Sequence, residues 1–246
     1  MSDHPCLWWL RRSATPADAV LVLLPPAGGS AQTFAGWDLH LPGRLGIAAV
    51  QYPGRASRRA EPPAGSVGAL AGEVFEALAG HAGPVHLFGH SLGALVGFEL
   101  SWRLQTERRA PATVIASAAV PPHRRAALGD RLADAAAGDL AMVLTDARTL
   151  SPAAARRPQV LHRRAPIYRA DFAAAHAYEY GPAVRRLRTP LVAVGGRQDP
   201  LVPGAELARW RELTEAPRGV HTLPGGHFYY LDNMAALAAL IADAVR

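Results

Sequence analysis

Short apolar runs rich in Val, Ile and Leu recur along this chain at 7–10, 20–24, 47–50, 85–88, 114–118, 191–194 and 220–223, each closed by Gly, Pro or polar residues. Runs of this length without polar alternation describe strands buried on both faces. Helix-length stretches at 66–81, 91–107, 204–214 and 229–245 fall between most of them or after the last. Strands alternating with helices predict an α/β fold, a mainly parallel sheet with helices on both faces and right-handed crossovers.

One connection breaks this rhythm. Residues 121–187 carry helical pattern, at 139–147 and 158–180 above all, without a convincing strand, which is far more chain than a crossover helix requires. An insertion of about that span between two core strands predicts a helical lid over the site; an extra layer packed away from the chemistry is the alternative. No internal repeat or linker marks a second domain, so residues 1–246 are expected to form one.

The strongest chemical signal is Gly89-His90-Ser91-Leu92-Gly93. It follows the apolar run 85–88 and opens the apolar stretch 94–102. Strand, sharp turn and helix in that order are the context in which G-x-S-x-G presents a nucleophilic serine at the carboxyl edge of an α/β-hydrolase sheet. Ser91 would sit in a strained backbone conformation beside a helix N-terminus that favours developing negative charge. A base and an orienting acid are then required, and in this fold they follow in the order Ser, Asp or Glu, His. Asp199 lies just past the run 191–194, and His227 lies on the loop after 220–223, so both are expected at the same edge. Separately, each could be an ordinary turn residue; in order and after the right strands they form a catalytic triad. The other place for the acid, after 114–118, reads Val120-Pro121-Pro122 and holds no carboxylate. Other histidines fit less well: His90 is inside the elbow, His86 in a buried strand, His221 before the loop, and His123, His162 and His176 in the insertion.

A tetrahedral intermediate needs two backbone N–H donors. Leu92 follows the nucleophile, and the loop Leu24-Pro-Pro-Ala-Gly-Gly-Ser30 follows an early strand. Neither proline can donate, which leaves Ala27 as the best second donor.

Composition limits the partners. The 26 basic residues against 20 acidic ones give a net charge of +6, and every basic residue is arginine. Doublets such as Arg58-Arg59 and Arg163-Arg164 could steer an acidic partner surface, or simply form a solvated face. Zinc-ligand spacing, heptads and basic runs with interleaved aromatics are all missing, which argues against nucleic acid. No metal site is expected. The chain holds no long apolar run and starts without a basic-then-apolar segment, so a soluble cytoplasmic protein with no membrane contact is expected. The single cysteine, Cys6, reads as a passive thiol.

Several segments together resemble the stand-alone type II thioesterases of polyketide and nonribosomal peptide synthases. They are Pro26-Ala-Gly-Gly-Ser-Ala31 with Phe34, Gln51-Tyr-Pro-Gly-Arg55, Phe88-Gly-His-Ser-Leu-Gly93, Tyr168-Arg-Ala-Asp-Phe172, Gly195-Gly-Arg-Gln-Asp199 and Pro224-Gly-Gly-His-Phe228. The family usually has His where this chain has Pro26, which leaves the Ala27 backbone donor intact but removes that side chain. The resemblance implies hydrolysis of acyl groups from the phosphopantetheine arm of acyl or peptidyl carrier proteins, clearing stalled or wrong units. It implies no cofactor beyond the arm that the substrate carries. Phe34, Tyr168, Phe172, Tyr178 and Phe228 are the candidate acyl-chamber residues, with helix packing as the alternative for the lid aromatics. A general carboxylesterase, a product-releasing thioesterase and a silent binding protein remain as rivals. A monomer is the expectation.

Overall fold

The structure, a computed structural model, describes residues 4–15, 17–125, 158–181 and 185–246. One sheet holds β1 (Leu7–Arg11), β2 (Val20–Leu24), β3 (Gly46–Val50), β4 (Val85–His90), β5 (Thr113–Ser117), β6 (Leu191–Gly196) and β7 (Pro217–Leu223). Its strand order is β1-β3-β2-β4-β5-β6-β7. All neighbours pair in parallel except β1, which runs antiparallel to β3 at the edge. The mainly parallel sheet expected from the apolar runs is therefore present.

Each buried run divides its side chains between two cores, because successive residues of a strand point to opposite faces. Val20, Val22 and Leu24 join Leu87, Ala116 and Ala193 in one cluster, covered by helices α1 (Val67–Ala77) and α2 (Leu92–Thr106). Leu21 and Leu23 join Phe88, Ile115 and Val194 in the other, covered by Phe34, Trp37 and the last helix. Ser66 starts α1 by accepting the Ala69 N–H at 3.0 Å, an N-cap that satisfies one of the free donors of the first turn. At the edge, Arg11 donates to the carbonyls of Asp38, Leu41, Pro42 and Leu45 and so pins the loop before β3.

Two expected helices differ in detail. The stretch 204–214 is one α-helical turn, Gly204–Leu207, followed by a 3-10 segment, Ala208–Leu213. The tighter segment carries Trp210, fully buried, whose indole N–H donates to the Ala119 carbonyl at 2.7 Å. Likewise 229–245 opens with a 3-10 turn, Tyr229–Leu231. The Asn233 carboxamide then donates to the Pro224 and Tyr229 carbonyls, and the regular helix runs Met234–Ala244.

Of the expected lid, 126–157, including the amphipathic stretch 139–147, lies outside the described residues. The second stretch is helix α3 (Pro158–His176), which packs against α2 and buries Ala165, Tyr168, Asp171, Ala174 and Ala175. No helix among the described residues is long and apolar enough to cross a membrane.

Three buried histidines make the fold sensitive to acid. Burial, then the nearby Arg44, drives His86 down to about 4. Burial, then the His227 charge, pushes His90 well below its ordinary value, and burial also lowers His81. Each therefore binds its proton more readily in the unfolded chain. Stability is complete above pH 6.5 and falls as the pH drops from there towards 4, by on the order of 2 kcal/mol for His86 alone after allowing for partial solvent contact. Thermal midpoints measured from pH 7.5 to 4 should fall steadily; a flat profile would contradict the neutral burial of these rings.

Candidate active site

The strand order reverses direction between β2 and β4: from β2 one side leads to β3, the other to β4. In open α/β sheets the crevice outside the carboxyl ends at such a reversal is the habitual ligand site. Leu24 is paired with Gly89 there, so the loop leaving β2 and the elbow leaving β4 start side by side.

Ser91 follows β4 with φ 54° and ψ −115°, a sparsely populated conformation for any residue with a side chain. It occupies the N-cap position of α2, yet its hydroxyl caps nothing in the helix. Capping requires an extended N-cap backbone; the strained turn swings Oγ off the helix, and the residue stays partly exposed. Close approach dictates the flanking glycines. A Cβ on Gly89 would lie 2.1 Å from the Gly93 carbonyl oxygen, and one on Gly93 would lie 2.1 Å from that of Leu24. The Ser91 N–H donates to the Ser117 carbonyl at 2.8 Å and ties the elbow to β5.

Asp199 and His227 leave the neighbouring parallel strands β6 and β7 at the same edge. Gln198 holds their loops together, donating its N–H to the Gly225 carbonyl at 3.0 Å and accepting the Gly225 N–H on Oε1 at 2.6 Å. Asp199 Oδ2 lies 2.8 Å from His227 Nδ1, with both side chains buried. Asp199 Oδ1 accepts the backbone N–H groups of Leu201 and Val202 at 2.8 and 3.3 Å. The carboxylate is thus clamped on one oxygen and offers the other to the imidazole. Ser91 Oγ and His227 make no hydrogen bond in this conformation. Such contacts commonly tighten only with substrate bound.

Behind His227, at 5.1 Å between ring centroids, lies His90. It is fully buried, its Nδ1 is 2.9 Å from Ser117 Oγ, and that hydroxyl is 2.8 Å from Tyr229 Oη. With its charged form disfavoured by burial, His90 serves as a neutral wall for the imidazole.

The loop after β2 turns tightly: the Gly29 N–H donates to the Pro26 carbonyl at 3.0 Å, with Gly28 at φ 69°. Gly28 N–H is taken by Asp171 Oδ2 at 2.7 Å, and Ala31 N–H by Gln51 Oε1 at 3.3 Å. Neither Ala27 N–H nor Leu92 N–H donates to another described residue.

The candidate chamber residues separate. Tyr168 packs its ring on Gly28, where an added Cβ would lie 2.1 Å from Cζ, and stands 6.0 Å from Phe172. Phe228 lies edge-on to His227 at 5.1 Å. Phe34 is fully buried, with its ring edge-on to Trp37 at 4.9 Å and to Phe88 at 6.2 Å, in the same core as Phe228. The Tyr178 hydroxyl is bound to Glu99, which also pairs with Arg185. Cys6 is buried beside His4 Nδ1 and the Glu73 carbonyl, and burial pushes its thiol up to about 12, where it stays protonated. Asp171 and Gln198 escaped the sequence reading, although both fall inside segments it singled out. A chain of letters does not reveal which loop a carboxylate will reach.

The family model of the thioesterase domain matches residues 19–245. A thioesterase of Streptomyces venezuelae, PikA5, is 35% identical over 99% of this chain and 89% of its own length. A probable cadicidin biosynthesis thioesterase of Streptomyces griseus is 34% identical over 100% of this chain and 68% of its own. Among solved structures, the type II thioesterase BorB of the borrelidin biosynthetic cluster superposes with a TM-score of 0.80 at 33% identity, covering 100% of this chain and 98% of that one. With a seven-stranded sheet, an elbow serine at its reversal point and this kinship, the chain belongs to the thioesterase family, a thioester hydrolase of the α/β-hydrolase fold that groups with the type II thioesterases of polyketide and nonribosomal peptide biosynthesis.

Proposed function

We propose that this protein hydrolyses acyl thioesters held on the phosphopantetheine arm of acyl or peptidyl carrier protein domains, in an editing role, through a Ser91–His227–Asp199 triad. The observation that carries the mechanism is the Asp199 carboxylate, clamped by two backbone N–H groups and hydrogen-bonded to His227 Nδ1, together with the strained turn at Ser91. With Nδ1 donating to Asp199, Nε2 is left as the basic nitrogen. It takes the Ser91 proton as Oγ attacks the thioester carbonyl; the C–S bond then breaks and the pantetheine thiol departs with that proton. Water repeats the attack on the acyl-enzyme, giving its proton to Nε2 and its hydroxide to the acyl carbon, and Ser91 is regenerated.

Ala27 and Leu92 N–H bind both oxyanions, a role supported by their having no other described partner. Asp199 keeps the imidazole in one tautomer and stabilises its cation. The chemistry requires no cofactor of the protein's own, since the phosphopantetheine arrives with the substrate. An arginine-only basic surface suits the acidic face of a carrier domain, with encounter rates that fall as salt rises.

The test is release of a short acyl group from a phosphopantetheinylated carrier protein, followed by mass spectrometry for wild type and Ser91→Ala, with an oxygen ester in parallel. Wild type alone should clear the carrier, well above its rate on the ester. An intact acyl-carrier beside rapid ester cleavage would replace the reading with a general esterase.

A further inference from the structure

We propose that Arg55 and Asp171 form a latch that sets the Ala27 oxyanion donor, so that the position of helix α3 is built into the catalytic loop. The inference rests on the Ser91 mechanism proposed above and assigns the two residues as positioning residues for it.

The pair is buried and doubly bonded: Arg55 Nη1 lies 2.5 Å from Asp171 Oδ2 and Nη2 lies 2.7 Å from Oδ1, with the two residues 4% and 1% exposed. Neither residue serves the other alone. Asp171 Oδ2 also accepts the Gly28 N–H at 2.7 Å, while Arg55 donates to the Gly29 carbonyl at 3.3 Å and to the Pro53 carbonyl at 3.2 Å. Gln51 closes the arrangement, accepting from Ala31 N–H and donating to the Arg55 carbonyl. Three segments far apart in sequence, 26–31, 51–55 and α3, thereby meet on one carboxylate and one guanidinium.

Stability alone is a weak reason for such a pair, because two buried charges lose their hydration and well-packed apolar residues often serve the fold as well. The turn supplies a stronger reason. A turn closed from Pro26 to Gly29 with Gly28 at positive φ has its middle peptide, Ala27–Gly28, rotated by about half a turn relative to the commonest turn type. In that orientation the Gly28 N–H meets the Asp171 carboxylate. Were the peptide to rotate back, the Ala27 carbonyl would face the carboxylate instead, dipole against charge. Asp171 thus selects one of two turn conformers, which differ in ψ at Ala27 and φ at Gly28, and together with Arg55 on the Gly29 carbonyl it fixes the loop that carries the Ala27 N–H. Tyr168, one helical turn earlier on α3, lays its ring on Gly28 and excludes a side chain there. Arg55, bonded to both carboxylate oxygens, keeps Asp171 aimed at the turn.

The test uses the full chain as Asp171→Asn and as the double variant Arg55→Met/Asp171→Leu, which removes the charges together and preserves packing. Three quantities are measured: hydrolysis of a soluble acyl thioester, affinity for an acyl trifluoromethyl ketone, and affinity for the matching unreactive thioether. The ketone is attacked by Ser91 Oγ; its carbonyl π bond opens to an oxyanion and the serine proton passes to His227, so its adduct needs the oxyanion donors. The thioether does not. Both variants should lose about 100-fold in kcat and in ketone affinity, the size of a lost oxyanion donor, with KM and thioether affinity within about threefold of wild type. Variants that keep kcat and ketone affinity, or that lose ketone and thioether affinity alike, would overturn the latch while leaving the Ser91 mechanism standing. A wild-type protein that forms no ketone adduct on Ser91 would overturn both.

Discussion

Asp199→Asn lowers the turnover of thioester hydrolysis about 10⁴-fold, the loss expected when a triad imidazole is held in the wrong tautomer. The surroundings of Asp199 decide which way the new amide faces. Its carbonyl must take the Oδ1 position, because Leu201 and Val202 aim N–H groups there. The amide NH2 then points at His227 Nδ1, 2.8 Å away in wild type. A donor on that side makes Nδ1 the acceptor and places the ring proton on Nε2, the nitrogen that has to accept a proton from Ser91. The side chains are near-isosteric, so the variant should melt close to wild type. Its residual rate should climb with pH as hydroxide replaces the missing base. Turnover within tenfold of wild type would remove Asp199 from the mechanism.

Gly93→Ala destabilises the fold by about 3–5 kcal/mol, near the upper end of single substitutions. The added Cβ meets the Leu24 carbonyl oxygen at 2.1 Å and its carbon at 2.6 Å, with the Pro25 carbonyl oxygen at 2.9 Å. Those are backbone atoms of a central strand end, and no rotamer change moves them. The clash is relieved only by lifting α2 off the end of β2, which separates Leu92 from the loop carrying Ala27. Activity should therefore fall further than the folded fraction does. At this chain length the thermal midpoint should drop by roughly 10 °C. Gly204→Ala is the control: open space surrounds its Cβ position at the start of a helical turn, so stability should stay within about 0.5 kcal/mol. A Gly93→Ala protein as stable as this control would mean that α2 is not seated as described.

The two variants probe parts of the site that differ in how far they are visible in the chain. The elbow is a local object: strand 85–90, two small residues and an apolar helix are contiguous, so periodicity and glycine spacing reveal it. Asp199 and His227 are distant from it, yet each follows a strand, and parallel strands bring their carboxyl ends to one edge. Where local signals misled, a tertiary contact outweighed propensity. The stretch 204–214 has a helical pattern, but the indole of Trp210 finds its acceptor at Ala119 through a tighter winding.

The parallel sheet, the serine elbow and the placing of Asp199 and His227 at one sheet edge are legible in the chain, since each depends on adjacent residues or on the ends of recognisable strands. How the loop after β2 is held emerges from contacts across the fold. Asp171 meets Gly28 across 143 residues and Arg55 across 116, and no periodicity links them. Charge in a buried place must find a partner wherever the fold brings one, and that partner is a property of packing in three dimensions.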